Sequence, residues 1–248
     1  MIFLYVFLLG AIIGSFLNVC IYRIPKNESI NFPPSHCPKC KEKIKWYDNI
    51  PILSYLVLRG KCRVCKSKIS IQYPIIEALV GIFFVLVYVK FGYSLNTIKY
   101  FVFISLLLCV SIIDIKNYYI PDVFSFSLII LGIASANISY LTFEQAYIGA
   151  SAYAMPFIVI YGFGEYIFKK EAMGFGDVKL ACGIGAFLGY LGFYNLYLWF
   201  TLTFVLGSLI SLGLIGLGIK DRKSQIAFAP FMSMSAFVML LLLWIKPF

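Results

Sequence analysis

Charged residues are scarce in this chain of 248 residues, at 13%, while 61% of the residues are hydrophobic and 18% are aromatic. A soluble globule of this size needs more charge than this to cover its surface. The composition therefore excludes a soluble protein and predicts that lipid surrounds most of the chain. Internal repeats of fixed period and low-complexity segments are also lacking, which favours a single helical bundle.

Histidine is nearly absent too, since His36 is the only one. It adjoins a cysteine motif, so the chain offers no Ser-His or Cys-His catalytic arrangement. A glycine-rich dinucleotide fingerprint is lacking as well, so no Rossmann cofactor domain is indicated.

Long apolar runs are abundant instead, near the 20 residues that a helix needs to cross about 30 Å of hydrocarbon. They predict an all-α membrane protein with about eight transmembrane helices, the sixth being a shorter glycine-rich run: 2–21, 75–89, 98–115, 123–140, 146–168, 178–191, 196–219 and 226–245. The first run has no preceding basic residue and no small-residue cleavage pattern before Arg23, so we predict a retained helix rather than a signal peptide.

Basic residues cluster in one segment, since 11 of the 21 Lys and Arg lie between Arg23 and Lys68, with three acidic residues among them. The positive-inside rule places this segment in the cytoplasm and both termini on the opposite side. A basic surface facing anionic inner-leaflet lipid explains the net charge of +10 better than a nucleic-acid partner does.

Four cysteines in this segment form two C-x2-C motifs, Cys37–Cys40 and Cys62–Cys65, separated by 21 residues. Two tight turns at this spacing can present four thiolates tetrahedrally to one structural Zn²⁺. A disulfide framework is the alternative, which a reducing cytosol disfavours. His36 is a possible substitute ligand, although four cysteines suffice.

Two aspartates are the candidate catalytic groups. Asp114 closes the third apolar run, where a carboxylate costs several kcal/mol unless a partner or a function retains it. Asp177 follows Gly174 and Gly176, which permit a tight turn and the close approach of another segment. If the two carboxylates converge at the cytoplasmic membrane edge, one can act as general base towards water and the other as general acid towards a leaving amine.

Other ionisable residues near these segments allow several interpretations. Asp122 follows a proline at the start of the fourth run and is either a helix cap or a member of the site. Lys116 and Lys179 are predicted interfacial anchors, although either could hold a carboxylate ionised. Glu77 is a further carboxylate at a membrane boundary, and a structural role is favoured for Glu165.

In the order of its motifs along the sequence, the chain resembles the bacterial type IV prepilin leader peptidases, which are GxGD-type aspartic peptidases. The resemblance rests on 14–18 (GSFLN), 21–25 (IYRIP), 34–37 (PSHC), 46–51 (WYDNIP), 73–77 (YPIIE), 114–122 and 174–179 (GFGDVK). It implies cleavage of the short basic leader from prepilins and pilin-like secretion proteins, with Asp114 and Asp177 as the catalytic pair.

Many relatives of this kind also methylate the new N-terminal amine with S-adenosylmethionine. The resemblance therefore implies a second, methyltransferase activity, for which the 14–18 segment, the zinc loop and Glu77 are candidates. The predicted organisation is a first transmembrane helix (1–21), a cytoplasmic zinc-binding loop domain (22–74) and an aspartic peptidase bundle (75–248) in the prokaryotic inner membrane.

Two hypotheses from other classes compete with the peptidase. A proton- or cation-coupled transporter would use the membrane carboxylates for ion relay and is expected to have pseudo-symmetric halves. A membrane scaffold would use the zinc loop to recruit a soluble partner, which leaves both aspartates unexplained.

Overall fold

The computed structural model describes residues 1–138, 140–168, 173–221 and 224–243. The last two residues of the predicted final span, Trp244 and Ile245, and the side chain of Glu165 lie outside the described part. Two compact units divide the chain, Met1–Tyr93 and Ser94–Phe248. Within the described ranges the structure is almost entirely helical, with only two isolated β-bridges, which confirms the predicted all-α class.

The first unit contains two long apolar helices, α1 (Ile2–Arg23) and α3 (Gln72–Phe91), and a short helix α2 (Leu53–Val57) in the segment between them. Glycines let α1 and α3 pack backbone to backbone. A Cβ on Gly10 would lie 2.7 Å from Cα of Gly81, and a Cβ on Gly14 would lie 2.8 Å from Cα of Glu77. These pairings run in opposite directions along the two helices, so α1 and α3 are antiparallel and the insert joins them at one end.

In its described residues the second unit is a bundle of six helices: α4 (Leu95–Asn117), α5 (Asp122–Ala134), α6 (Phe143–Phe168), α7 (Phe175–Leu188), α8 (Phe193–Gly216) and α9 (Ala229–Val238). A π-helical turn, Met239–Leu243, continues α9. The short helix α7 packs against α5, α6 and α9, and nearly all its residues from Val178 to Leu188 are buried. It is therefore the central element of this unit.

Five of the described helices are long and apolar enough to cross a membrane: α1, α3, α4, α6 and α8. The other three predicted spans correspond to shorter helices of 13, 14 and 10 residues. A 14-residue helix is only about 21 Å long, and α7 faces protein rather than lipid. The predicted count of eight spans thus stays a prediction, while five candidate spans are present.

The tightest helix contact lies between α6 and α7. A Cβ on Gly149 would lie 2.4 Å from the carbonyl oxygen of Gly185, and a Cβ on Gly185 would lie 2.2 Å from the carbonyl oxygen of Gly149. Both obstacles are backbone atoms, so a rotamer change cannot relieve the clash. This reciprocal contact fixes the position of α7, the helix that carries Asp177.

We expect Gly149→Ala to destabilise the second unit by about 1–3 kcal/mol, the usual cost of overpacking a close contact. Thermal unfolding of the purified protein in detergent measures this. Gly162→Ala is the matched control, since Gly162 lies on the same helix with nothing within 4 Å of its would-be Cβ; there alanine should be neutral or slightly stabilising. Equal melting temperatures for the two variants would show that the contact is unimportant.

Candidate active site and metal centre

Asp114 lies three residues before the end of α4 and is only 6% exposed. Its Oδ2 accepts a hydrogen bond of 3.0 Å from the backbone N–H of Ala229, and the N–H of Phe228 also donates to this carboxylate. Ala229 is the first residue of α9. The first N–H groups of a helix have no partner within it and favour negative charge, so the start of α9 holds the carboxylate of Asp114.

Asp177 lies in the first turn of α7, which begins directly after Gly174. The Gly174 N–H donates a hydrogen bond to the Asp177 carboxylate. Gly176 permits a close approach, because a Cβ there would lie 3.1 Å from Cβ of Ile120 in the α4–α5 connection. The predicted role of the two glycines is therefore divided: Gly174 precedes the turn, and Gly176 makes room for a neighbouring segment.

The structure brings Asp114 and Asp177 together at one level of the second unit. The rings of Phe103 on α4 and Phe187 on α7 stack with centroids 4.7 Å apart. Asp114 lies 11 positions after Phe103 on α4, which corresponds to about 16 Å of helix. Asp177 lies ten positions before Phe187 on α7, which corresponds to about 15 Å. The carboxylates are close enough to repel each other electrostatically, so α4 and α7 are antiparallel.

Asp122 is the first residue of α5, and Pro121 occupies the cap position. The Asp122 carboxylate is paired with the ammonium group of Lys179 on α7, two residues after Asp177. Lys179 also lies over the rings of Phe126 and Phe175. Of the two earlier alternatives for Lys179, the structure therefore supports the ion pair, and its partner is Asp122 rather than either candidate catalytic aspartate.

In the first unit, four cysteines form a cluster: Cys37, Cys40, Cys62 and Cys65 have their sulfur atoms within 4.8 Å of one another. The sulfurs of Cys37 and Cys65 are 3.8 Å apart. Tetrahedral coordination with Zn–S bonds of about 2.3 Å requires sulfurs about 3.8 Å apart. This donor set therefore fits a tetrahedral metal ion of the zinc type, and His36, whose Nδ1 bonds to the Pro34 carbonyl, lies outside it.

The two cysteine knuckles share one backbone pattern. The N–H of Cys37 bonds to the Glu42 carbonyl at 2.9 Å, and the N–H of Cys62 bonds to the Ser67 carbonyl at 2.8 Å. Lys41 and Lys66, each four residues after the first cysteine, both adopt positive φ. These turns aim N–H groups at sulfur: the N–H groups of Cys40 and Lys39, together with the Ser67 hydroxyl, lower the pKa of the Cys37 thiol to about 6, which favours its thiolate. Burial and the neighbouring cysteines raise the pKa of the Cys40 thiol to about 11.

The motif residues of the first unit have structural partners. Asn18 on α1 donates hydrogen bonds of 3.2 Å to the carbonyls of Gly14 and Tyr73. The Arg23 guanidinium donates to the carbonyls of Ser29, Ile30 and Pro33 at 2.7–3.3 Å and so orders the start of the insert.

The buried Glu77 carboxylate accepts the Ile52 N–H at 2.7 Å. Ile52 itself has φ 64°, an unfavourable conformation for a β-branched residue. This bond therefore fixes the start of α2 relative to α3.

Comparison with known proteins agrees with this arrangement. A model described as the bacterial peptidase A24 N-terminal domain matches residues 8–91, and the model of the type IV leader peptidase family matches residues 101–246. This chain belongs to the type IV leader peptidase family. The predicted family is confirmed, and the transporter alternative gains no support.

Among curated relatives of this leader peptidase, a prepilin leader peptidase/N-methyltransferase of Pectobacterium carotovorum subsp. carotovorum is 32% identical, with 91% of this chain and 88% of that protein covered. Proteins with the same name from Neisseria gonorrhoeae and Myxococcus xanthus are 37% and 38% identical, over 73% and 74% of this chain. The match covers 72% of the Neisseria protein and 55% of the Myxococcus protein. No solved structure matches the chain significantly.

Sequence reasoning missed one part of the site, the start of α9. Ala229 lies 115 positions from Asp114, and its contribution is a backbone N–H that no side chain marks. The only local signal is Pro230, a residue typical of a helix start. That signal predicts where α9 begins but not which carboxylate it meets.

Proposed function

We propose that this chain is a multi-pass inner-membrane aspartic endopeptidase that removes the basic leader from type IV prepilins and pilin-like proteins at the cytoplasmic membrane face. The single observation that carries the proposal is the approach of Asp114 and Asp177 at one level of the second unit. Family membership supports the same reaction. The two carboxylates are of the kind that hydrolyse peptides without a nucleophilic side chain.

The surroundings of the two carboxylates support a division of roles between them. Hydrogen bonds donated to a carboxylate stabilise its charged form. Asp114 accepts a hydrogen bond of 3.0 Å from the Ala229 N–H at the start of a helix, a place that favours negative charge. With a negative charge on Asp114, repulsion keeps the second proton on Asp177.

In this assignment Asp114 is the general base. It takes a proton from water as the water oxygen bonds to the scissile carbonyl carbon. Asp177 gives its proton to the departing amine as the C–N bond breaks. The proton that Asp114 has gained then restores Asp177 through water, so the pair starts the next cycle in its original state.

Methylation of the new N-terminal amine is the second proposed activity, and S-adenosylmethionine is the methyl donor it requires. The relatives' printed names include N-methyltransferase, which supports it. The residues predicted to bind the methyl donor do not form an open cradle. The backbone of Glu77 occupies the space beside Gly14, and the Glu77 carboxylate accepts a hydrogen bond from Ile52. We therefore assign no residue of the described part to the methyl donor.

A zinc ion in the four-cysteine cluster is proposed to be structural. Four sulfur ligands leave no open coordination position for a substrate. The second knuckle is also tied to the Trp46–Asn49 turn by the ion pair of Arg63 with Asp48, with N···O distances of 2.6 and 2.8 Å. The metal thus holds together an insert too small to fold on apolar burial alone.

Co-expression of the chain with a candidate prepilin tests both activities in one measurement. We expect the mass of the recovered pilin to fall by the mass of its leader and then to rise by one methyl group. An intact leader would contradict the peptidase, whereas a processed pilin with an unmodified amine would contradict only the methyltransferase. The chain alone, without a prepilin, gives the background spectrum.

A further inference from the structure

The short helix α2 presents an apolar face that no residue in the described part of the chain covers. Leu53, Leu56 and Val57 are spaced so that they share one side of the helix, and they are 57%, 63% and 74% exposed. The opposite side is used for packing. Ser54 donates a hydrogen bond of 3.0 Å to the Tyr47 carbonyl, and Tyr55 lies against Gly60. The outward direction of the apolar side chains is therefore set by how α2 is anchored.

An exposed aromatic side chain lies in the turn that contacts α2. Trp46 lies in the 3-10 turn Trp46–Asn49, which contacts α2. Although tryptophan is normally covered, Trp46 is 81% exposed. Its neighbour Tyr47 is held by the Trp46 ring in edge contact and by the Lys45 ammonium and the Arg63 guanidinium. Tryptophan beside exposed aliphatic residues is typical of segments at a membrane interface.

The height of α2 relative to a membrane span is fixed. The N–H of Ile52, the residue before α2, bonds to the Glu77 carboxylate, and Glu77 lies five residues into the span α3. Five residues correspond to about 7.5 Å of helix. Helix α2 is thus attached close to the end of a transmembrane helix, which is the level of lipid headgroups.

The positive charge of the insert indicates which kind of partner binds the apolar face of α2. Eleven basic and three acidic residues between Arg23 and Lys68 leave an excess of eight positive charges (11 minus 3), which becomes six when the four cysteine thiolates hold one Zn²⁺ (8 minus 4 plus 2). Exposed lysines that share the insert with α2 include Lys43, Lys45, Lys61 and Lys68. This charge attracts anionic phospholipid. It repels the basic leader of a prepilin and also a second copy of the same insert.

We propose that the apolar face of α2, together with Trp46, docks into the headgroup region of an anionic phospholipid bilayer, with the surrounding lysines on the phosphates. The insert is then held against the membrane by side chains as well as by its two flanking helices. This inference does not depend on the proposed peptide hydrolysis, because it concerns only the first unit and lipid.

The first test uses tryptophan fluorescence of the full chain in nanodiscs that contain lipids brominated on their tails. The difference between wild type and Trp46→Phe isolates the signal of Trp46. We expect this signal to be quenched in phosphatidylglycerol discs at least about twofold more than in phosphatidylcholine discs. An unquenched signal in both would overturn the docking, and equal quenching would overturn the charge selection.

The second test uses amide hydrogen exchange of residues 50–58 in the same two kinds of disc. We expect slower exchange in phosphatidylglycerol, and loss of that difference in the double variant Leu56→Gln and Val57→Gln. Phe32→Gln is the matched control, since Phe32 is an apolar residue of the same insert that is 78% exposed but lies outside α2. It should behave as wild type.

Two results would identify another occupant and overturn the proposal. One is protection that develops only when a prepilin is added, which would make the face a substrate surface. The other is protection that rises with protein concentration in detergent, which would make it a contact between two copies. Loss of protection in Phe32→Gln equal to that in the double variant would show that no specific face is involved.

Discussion

Replacing Asp114 or Asp177 by asparagine is expected to lower the rate of leader removal by about a hundredfold to ten-thousandfold, the range that general acid–base groups contribute. Asparagine has the same shape as aspartate, and its side-chain oxygen can still accept the N–H of Ala229. The fold should therefore persist. The asparagine side chain cannot take up or release the proton in either step, so each single variant should lose most of its activity. Single-turnover cleavage of a prepilin in reconstituted membranes measures the loss.

Stability distinguishes a catalytic role from a structural one. Each substitution removes one of two carboxylates that repel each other, so the melting temperature should stay the same or rise. Asp221→Asn is the matched control, because Asp221 is an exposed aspartate in the α8–α9 connection, and it should cleave as wild type does. Full processing by either Asp114→Asn or Asp177→Asn would refute the pair.

Asp122→Asn decides whether a third aspartate belongs to the site. Asp122 is bound to Lys179 and its side chain is 62% exposed, so we expect at most a modest loss of rate. A loss as large as that of Asp177→Asn would instead assign Asp122 to the chemistry.

Removal of the metal is expected to have the second large effect, on the fold of the insert. Structural zinc binding contributes about 10–16 kcal/mol in small zinc domains, far more than the apolar burial of a segment this short supplies. The double variant Cys37→Ser and Cys40→Ser should lose about one zinc per chain, and the 22–74 segment should become open to proteolysis. Elemental analysis and limited digestion of the purified protein measure the two losses.

A cysteine outside the cluster provides the comparison. Cys182 lies on α7 in the second unit, and Cys182→Ser should keep its zinc and its resistance to proteolysis. Wild type purified without zinc, yet with a protected insert, would overturn the metal assignment. Digestion of both variants at the same site would show that the loss of structure is not specific to the cluster.

The helices could be predicted from the sequence because the length of an apolar run is enough to indicate a helix in lipid. Every predicted run corresponds to a helix, and the ends agree within a few residues for α1 and α4. The same dependence on run length is the weakness of the span predicted at 178–191. Run length does not distinguish a helix that faces lipid from one such as α7, whose small residues are covered by neighbouring helices.

The candidate site was predictable to the extent that its chemistry is carried by side chains. A carboxylate at the end of an apolar run is costly, so Asp114 is conspicuous in sequence, as are four cysteines at regular spacing. The donors from Phe228 and Ala229 were not predictable, since every residue has a backbone N–H. Similarly, the partner of Lys179 was open in sequence, because Asp114, Asp122 and Asp177 are all acidic and nothing local ranks them.

The sequence by itself determined that this protein lies in a membrane, that one basic insert carries four cysteines, and which two aspartates are candidates for catalysis. These properties depend on residue type and on spacing along the chain. Only the tertiary structure decided that Asp114 meets the start of α9, that Lys179 binds Asp122, and that α2 turns its apolar face outward. The physical reason is that these are distances between atoms far apart in the chain, and they arise only when close glycine contacts fix how the helices pack.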